Sequence, residues 1–286
     1  MNKLVVVTDT ASDLTFEIAE KYNIALIPYQ LQMGDHHYND QVDISAEEFY
    51  ATMENYDVLS TGIPSIQTVI NKLEELQKEG YTQALLVCSS DRITGMEQLY
   101  QVVKDEYSDM DLYIVNSGQI ASSTGLLAIY AAQLVQQGQT IDEVLSELDR
   151  VGQHINIFAV FRTLTYIIKG GRLNKYKGAI GNLLNINPIL SEVNREVSII
   201  KKVRGTKRSL QALIDQAKEE LGQSKEYMIA IFHANNPEEV EEVKKQMADE
   251  ISKAKLFLVS NLTPVLGSHS GPKAIGISTI RIDGIQ

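Results

Sequence analysis

The chain carries a single cysteine, Cys88, in 286 residues. One thiol makes no intramolecular disulfide and no zinc cluster, so a cystine scaffold and a structural zinc domain are both excluded. Set in "ALLVCSS", it reads as a small buried hydrophobe. Long apolar runs are also missing: none reaches the ~18 residues expected of a membrane span. The apolar run in "MNKLVVVTDTASD" is too short for a secretory signal, and Asp9 interrupts it. Positive charge is in deficit, with 26 Lys and Arg against 37 Asp and Glu and a net charge of −11. Such a chain repels phosphate backbones and anionic membrane surfaces, which argues against nucleic-acid partners. The absences together describe a soluble, reduced, cytoplasmic protein with no integral membrane segment.

The standard catalytic signatures are absent as well. There is no G-x-x-x-x-G-K-[ST] phosphate loop, no H-E-x-x-H and no G-x-S-x-G elbow. No G-x-G-x-x-G follows the first strand. Kinase, metalloprotease, hydrolase and dinucleotide readings therefore lack support. No internal repeat, low-complexity tract or Pro/Ser-rich linker interrupts the chain.

What is present is a βα alternation. "KLVVVT" is a short β-branched run, followed by "DTASDL" and the helical pattern "TFEIAEKYN". "IALIPYQLQM" reads as a further strand and "GDHHYNDQVDIS" as a turn-rich loop. "SAEEFYATMEN" opens with Ser45 and Glu48, a capping box. Pro64 starts the amphipathic helix 64–79. Strands "YTQALLVCSS" and "DLYIVNS" alternate with helices up to "TIDEVLSELDRVGQHI", the pattern of parallel βαβ units. The second half differs: "INPILSEVNREVSIIKKVR" reads as a hairpin turning at Asn-Arg, and "KYKGAIGNLLN" as a small-residue helix. The prediction is an α/β fold of two close-packed domains: 1–153 with a parallel sheet, and 154–286, α+β with a mixed sheet.

Three stretches place hydroxyls among small residues near strand ends: "STGIPS" (60–65), "SSDRITG" (89–95) and "GSHSG" (267–271). Ligands of parallel sheets bind beyond the carboxyl ends of strands, so Thr61 and Thr94 are candidate anion donors. His269, in what reads as a small-residue loop, is a third; the plain alternative for all of them is capping and turn chemistry. "KGGRLNKYKG" and "KKVRGTKRS" are basic islands in an acidic chain. Arg172 follows two glycines that permit close approach; the plain alternative is a helix C-cap. "DHHYND" suggests a metal only weakly and reads better as a polar hairpin turn. "TDTASD" reads as a helix cap, with Asp13 suited to that role.

With these residues in view, the chain resembles the DegV family of bacterial fatty-acid-binding proteins nearly end to end. "VVTDTASDL", "STGIPS", "SSDRITG", "NSGQIASSTGLLA", "KGGRLNKYKGAIGNLLNINPIL", "KKVRGTKRSL" and "GSHSGPKAIGI" carry the resemblance in order. It implies one long-chain fatty acid buried between two domains and no other cofactor. It also implies a non-catalytic role, as the lipid-presenting subunit of a fatty acid kinase. A separate kinase subunit would phosphorylate the carboxylate to an acyl phosphate for phospholipid synthesis. Thr61, Thr94 and His269 match the family's carboxylate-binding positions, and Arg172 and Arg204 match arginines tied to phosphoryl transfer or kinase docking. The chain departs from the family at Gly62-Ile63, at Thr94-Gly95-Met96 in a loop one residue longer than usual, and at Lys273. Ile63 and Met96 therefore bear on the acyl pocket, whose walls are sought in "STGLLAIYAAQLV" and "IGNLLNINPIL". Two competing readings are a stand-alone hydrolase using Thr94 or Ser90 with His269, and a module for another small anion.

Overall fold

A computed structural model describes residues 3–174, 176 and 186–284. Thirteen strands in these residues form three sheets. Strands β1 (Leu4–Asp9), β2 (Ile24–Ile27), β3 (Gln30–Met33), β4 (His36–Asn39), β5 (Leu59–Gly62), β6 (Gln83–Cys88) and β7 (Asp111–Asn116) precede residue 153. Strands β8 (Ile155–Val160), β9 (Ile189–Val193), β10 (Glu196–Lys201), β11 (Tyr227–His233), β12 (Leu256–Asn261) and β13 (Ile275–Arg281) follow it.

The first sheet has the order β2-β1-β6-β7 and is parallel throughout. Every residue of β6 is buried, as expected of a strand covered on both faces. The second sheet, β4-β3-β5, is small and antiparallel. The third has the order β10-β9-β8-β13-β11-β12, with only β11 and β12 running parallel. Its β9–β10 hairpin turns at Asn194 and Arg195, both at positive φ (55° and 69°), the twist a two-residue hairpin loop needs.

The helix Ser122–Gln136 joins the sheets. Twelve of its fifteen residues are buried, because it packs on β1 on one side and on β11 and β13 on the other. A helix with two buried sides carries no polar stripe. Gly125 is required at its closest approach: a Cβ there would lie 2.4 Å from the Ser12 carbonyl oxygen.

Several expectations change. "IALIPYQLQM" is two strands in two different sheets, broken at Pro28-Tyr29. "GDHHYNDQVDIS" contains β4, so its histidines lie on an exposed hairpin strand. Pro64 lies outside the helix Ile66–Lys78, whose cap is Ser65. The helix Phe16–Lys21 is capped by Thr15, not Asp13. The capping box at Ser45 and Glu48 is present. "KYKGAIGNLLN" lies, apart from Tyr176, outside the described residues.

Candidate functional site

An apolar cavity lies between the sheets. Ile157 and Ala159 of β8, Leu190 of β9 and Phe232 of β11 line it together with Ile120 and Val265. Its volume is about 110 Å³, where a single water needs about 10–15 Å³. A space of that size, its exposed wall almost all apolar apart from one polar cluster, suits an apolar ligand better than water. The helix Ser122–Gln136 contributes nothing to the lining among the described residues; it is core instead. Of "IGNLLNINPIL", Leu190 lines the cavity and residues 180–185 lie outside the described residues.

Thr61, Thr94, Arg172 and His269 all line this cavity. Thr61 sits within β5, opposite Leu31 of β3. Its Oγ1 is 2.8 Å from Nε2 of His269. His269 is not on a loop: it belongs to the helix Pro264–Ser270. The small residues around it serve helix packing. A Cβ on Gly267 would meet the Tyr50 hydroxyl at 2.5 Å and the Phe49 ring at 2.7 Å. Gly271, at φ 69°, ends the helix against the Tyr166 ring.

The glycine pair before Arg172 has a similar origin. A Cβ on Gly170 would lie 2.2 Å from Nδ1 of His269, so the imidazole is pressed onto bare backbone. Gly171 takes φ 80°, the left-handed conformation that glycine adopts freely. The turn then brings Arg172 back, where its Nη1 donates to the Gly170 carbonyl at 2.6 Å. Burial and the nearby Arg172 guanidinium push the His269 pKa down to about 3. The imidazole is therefore neutral, with its Nδ1 buried and unpaired. Burial also lowers the Arg172 pKa.

Thr94 lies in the loop after β6, where the amides of Ile93 and Thr94 both donate to the Ser90 carbonyl, at 3.0 and 2.9 Å. Tyr29 adds a buried hydroxyl to the lining, with the Thr94 side chain beside it. Glu192 lines the cavity too, accepting from the Gln119 amide at 2.7 Å, and burial raises its pKa to about 7. Arg204 is exposed and outside the lining. Ile63 and Met96 do not line the cavity among its described walls; Met96 is core.

Tyr29 and Glu192 escaped the sequence reading because an isolated tyrosine or strand glutamate carries no motif. So did a set of buried carboxyls. Asp9, Asp13 and Asp40 are almost fully buried, and burial raises each pKa to about 7. The clue available for two of them was "TDTASD", in which Asp9 ends the buried strand β1 and Asp13 follows four residues later.

Among the described residues neither Ser90 nor Thr94 is hydrogen-bonded to His269, so the hydrolase pairing does not form. Ser90 donates to the Arg195 carbonyl at 2.8 Å and His269 faces Thr61. An imidazole with a pKa near 3 is also a poor general base at neutral pH.

The family model described as "uncharacterised protein, DegV family" matches residues 3–281. The chain belongs to the DegV family. A DegV domain-containing protein of Clostridium acetobutylicum is 32% identical over 278 residues, 97% of this chain and 98% of that one. Among solved structures, a DegV family protein from Thermus thermophilus, described for its fatty acid binding, superposes with a TM-score of 0.90. That match covers 98% of this chain and 99% of the other at 21% identity. The Streptococcus pneumoniae fatty acid kinase B3 protein, loaded with linoleic acid, superposes with a TM-score of 0.84 at 18% identity. It covers 98% of this chain and 100% of its own. Both likenesses establish the DegV fold for this chain, a parallel-sheet unit joined to a mixed-sheet unit. No helix among the described residues is long and apolar enough to cross a membrane. No group of three or more His, Cys, Asp or Glu among them is arranged to hold a metal.

Proposed function

We propose that this DegV protein binds one long-chain fatty acid in the cavity and presents its carboxylate to a separate kinase subunit. The observation that carries the reading is the apolar cavity with a polar cluster of Thr61, Thr94, His269 and Arg172 in its wall. Each buried methylene contributes about 0.8 kcal/mol, so ten methylenes supply about 8 kcal/mol toward retention. The head group needs donors, since a buried carboxylate without them is costly.

The neutral imidazole organises these donors. Nδ1 has no partner and faces Gly170. A buried N–H without an acceptor is rarer than an unsatisfied acceptor, so the proton resides on Nε2. Nε2–H then donates to Thr61 Oγ1, and the Thr61 hydroxyl proton is free to donate to the ligand. Thr94 supplies a second hydroxyl. Arg172 stands beside the head group and stabilises the negative charge that spreads during phosphoryl transfer. Arg204, exposed on the same half of the chain, serves to dock the kinase subunit.

The fatty-acid descriptions of the Thermus and pneumococcal proteins support the ligand, and the second supports the kinase partnership. On this reading the protein is a cytoplasmic, non-catalytic carrier whose product feeds phospholipid synthesis. The chain divides near residue 153, with the acyl chain between the two parts. The test is acyl phosphate formation from oleate-loaded protein, ATP and a fatty acid kinase catalytic subunit. Product is expected with wild type and lost with Arg172→Ala, which keeps its lipid. Loss of bound lipid in that variant overturns the role given to Arg172.

A further inference from the structure

The helix Pro264–Ser270 has seven residues, too few to hold its own shape in water. Its start is also poorly equipped. Pro264 at the first position has no N–H to offer. The Thr263 hydroxyl, which normally caps such a helix, donates instead to the Thr10 carbonyl at 3.2 Å. The capping groups come from residues more than 220 positions away. Asp40 Oδ1 accepts from the Val265 amide at 3.2 Å. Asp13 Oδ1 accepts from the Thr263 amide at 3.3 Å, and its Oδ2 accepts from the Ser260 hydroxyl at 2.5 Å.

His269 lies four residues beyond Val265, about one helical turn on the same face. Fixing the Val265 amide therefore fixes where the imidazole points. Asp13 holds a non-glycine φ of 62°, a conformation that costs backbone energy and persists only where surrounding contacts enforce it. Both carboxyls are buried, so they act in a medium where a hydrogen bond to an amide counts for more than in water.

We infer that Asp40 and Asp13 are positioning residues for His269, holding the start of its helix so that the imidazole meets Thr61. Their raised pKa values agree with a dry, close-packed anchor. Nothing about either residue requires contact with the ligand; each acts through the helix. The lipid readout below rests on the fatty-acid reading of the cavity, while the imidazole readout does not.

The experiment is a double-mutant cycle on the full chain, with oleate as the probe. Asp40→Ala raises the Kd for oleate about fivefold to tenfold, the scale of a lost cap. Asp40→Asn keeps a carbonyl acceptor and stays within about threefold of wild type. In a His269→Ala background, Asp40→Ala adds less than about twofold, because the group it positions is gone. Nitrogen NMR of the His269 ring is recorded on the same proteins. Asp40→Ala moves the ring signals, and Asp40→Asn restores them. Additive losses in the cycle, or ring signals unmoved by Asp40→Ala, overturn the proposal. If Asp40→Ala does not fold, the same cycle with Asp13→Asn and Asp13→Ala decides the question. Failure of wild type to bind any oleate would defeat the fatty-acid reading alone, and the ring signals would still judge the positioning role.

Discussion

Replacing Gly170 with alanine tests the imidazole seat most sharply. The backbone there is helical, φ −69° and ψ −5°, so alanine meets no conformational barrier and gains about 0.5–1 kcal/mol of helix preference. The cost is steric. The new Cβ would stand 2.2 Å from His269 Nδ1 and 2.8 Å from Cε1. Comfortable contact begins near 3.5 Å, so the ring must retreat by roughly 1 Å. The Thr61–His269 bond is 2.8 Å long, and a ring displaced by that much leaves hydrogen-bonding geometry, whether it is stretched away or driven against Thr61. Overpacking of this kind costs about 1–3 kcal/mol, which the helix gain partly offsets. The fold should survive with a small loss of Tm. Ligand binding should suffer more: a hydrogen bond to a charged group contributes about 1.5–3 kcal/mol, or roughly tenfold to 150-fold in Kd. Competition of oleate against a fluorescent fatty acid measures it. Gly171→Ala is the comparison, because its Cβ meets nothing closer than 3.8 Å and its cost arises from φ 80°. Oleate affinity unchanged in Gly170→Ala would refute the seat and the role of His269 built on it.

Further expectations concern the same network. Thr61→Val removes a donor and strands the imidazole, so oleate affinity should fall about tenfold or more; equal affinity by the same competition assay would contradict the role of Thr61. His269 has a folded pKa near 3 against 6.5 for the free group, so its stabilising contribution is full above about pH 6.5 and is lost as pH falls toward 3. The buried aspartates act oppositely: folded values near 7 against 3.8 make stability fall as pH rises from about 4 to 7. Urea denaturation of wild type and Asp9→Asn at several pH values should show a shallower fall in the variant; an identical slope would refute the assignment. Gly276→Ala would place a Cβ 2.0 Å from Phe232 Cζ and 2.5 Å from the Phe158 carbonyl oxygen. It should lower Tm and oleate affinity together, because Phe232 lines the cavity.

The βα alternation was legible because β6 and its neighbours are apolar runs separated by amphipathic helices, and periodicity reports burial directly. The Asn194-Arg195 turn was legible from its own residues. Strand exchange between sheets was not: "IALIPYQLQM" is continuous in pattern, and only tertiary pairing sends β2 and β3 to different sheets. The helix around His269 was hidden by its composition, since Gly267, Ser268 and Ser270 look like loop residues until Tyr50 and Phe49 are seen packed against the glycine. Thr61, Thr94, Arg172 and His269 were found singly, yet their convergence depends on contacts up to 208 residues apart. Asp40 was unreadable for the same reason: a hairpin aspartate looks like a solvated turn until Val265 is found on its carboxyl.

The most direct measurement is denaturation of the purified protein, extraction with organic solvent and mass spectrometry of what is released. Close to one long-chain fatty acid per chain is expected, either carried through purification or after incubation with a panel of fatty acids. An extract that stays empty after that incubation would contradict the fatty-acid reading.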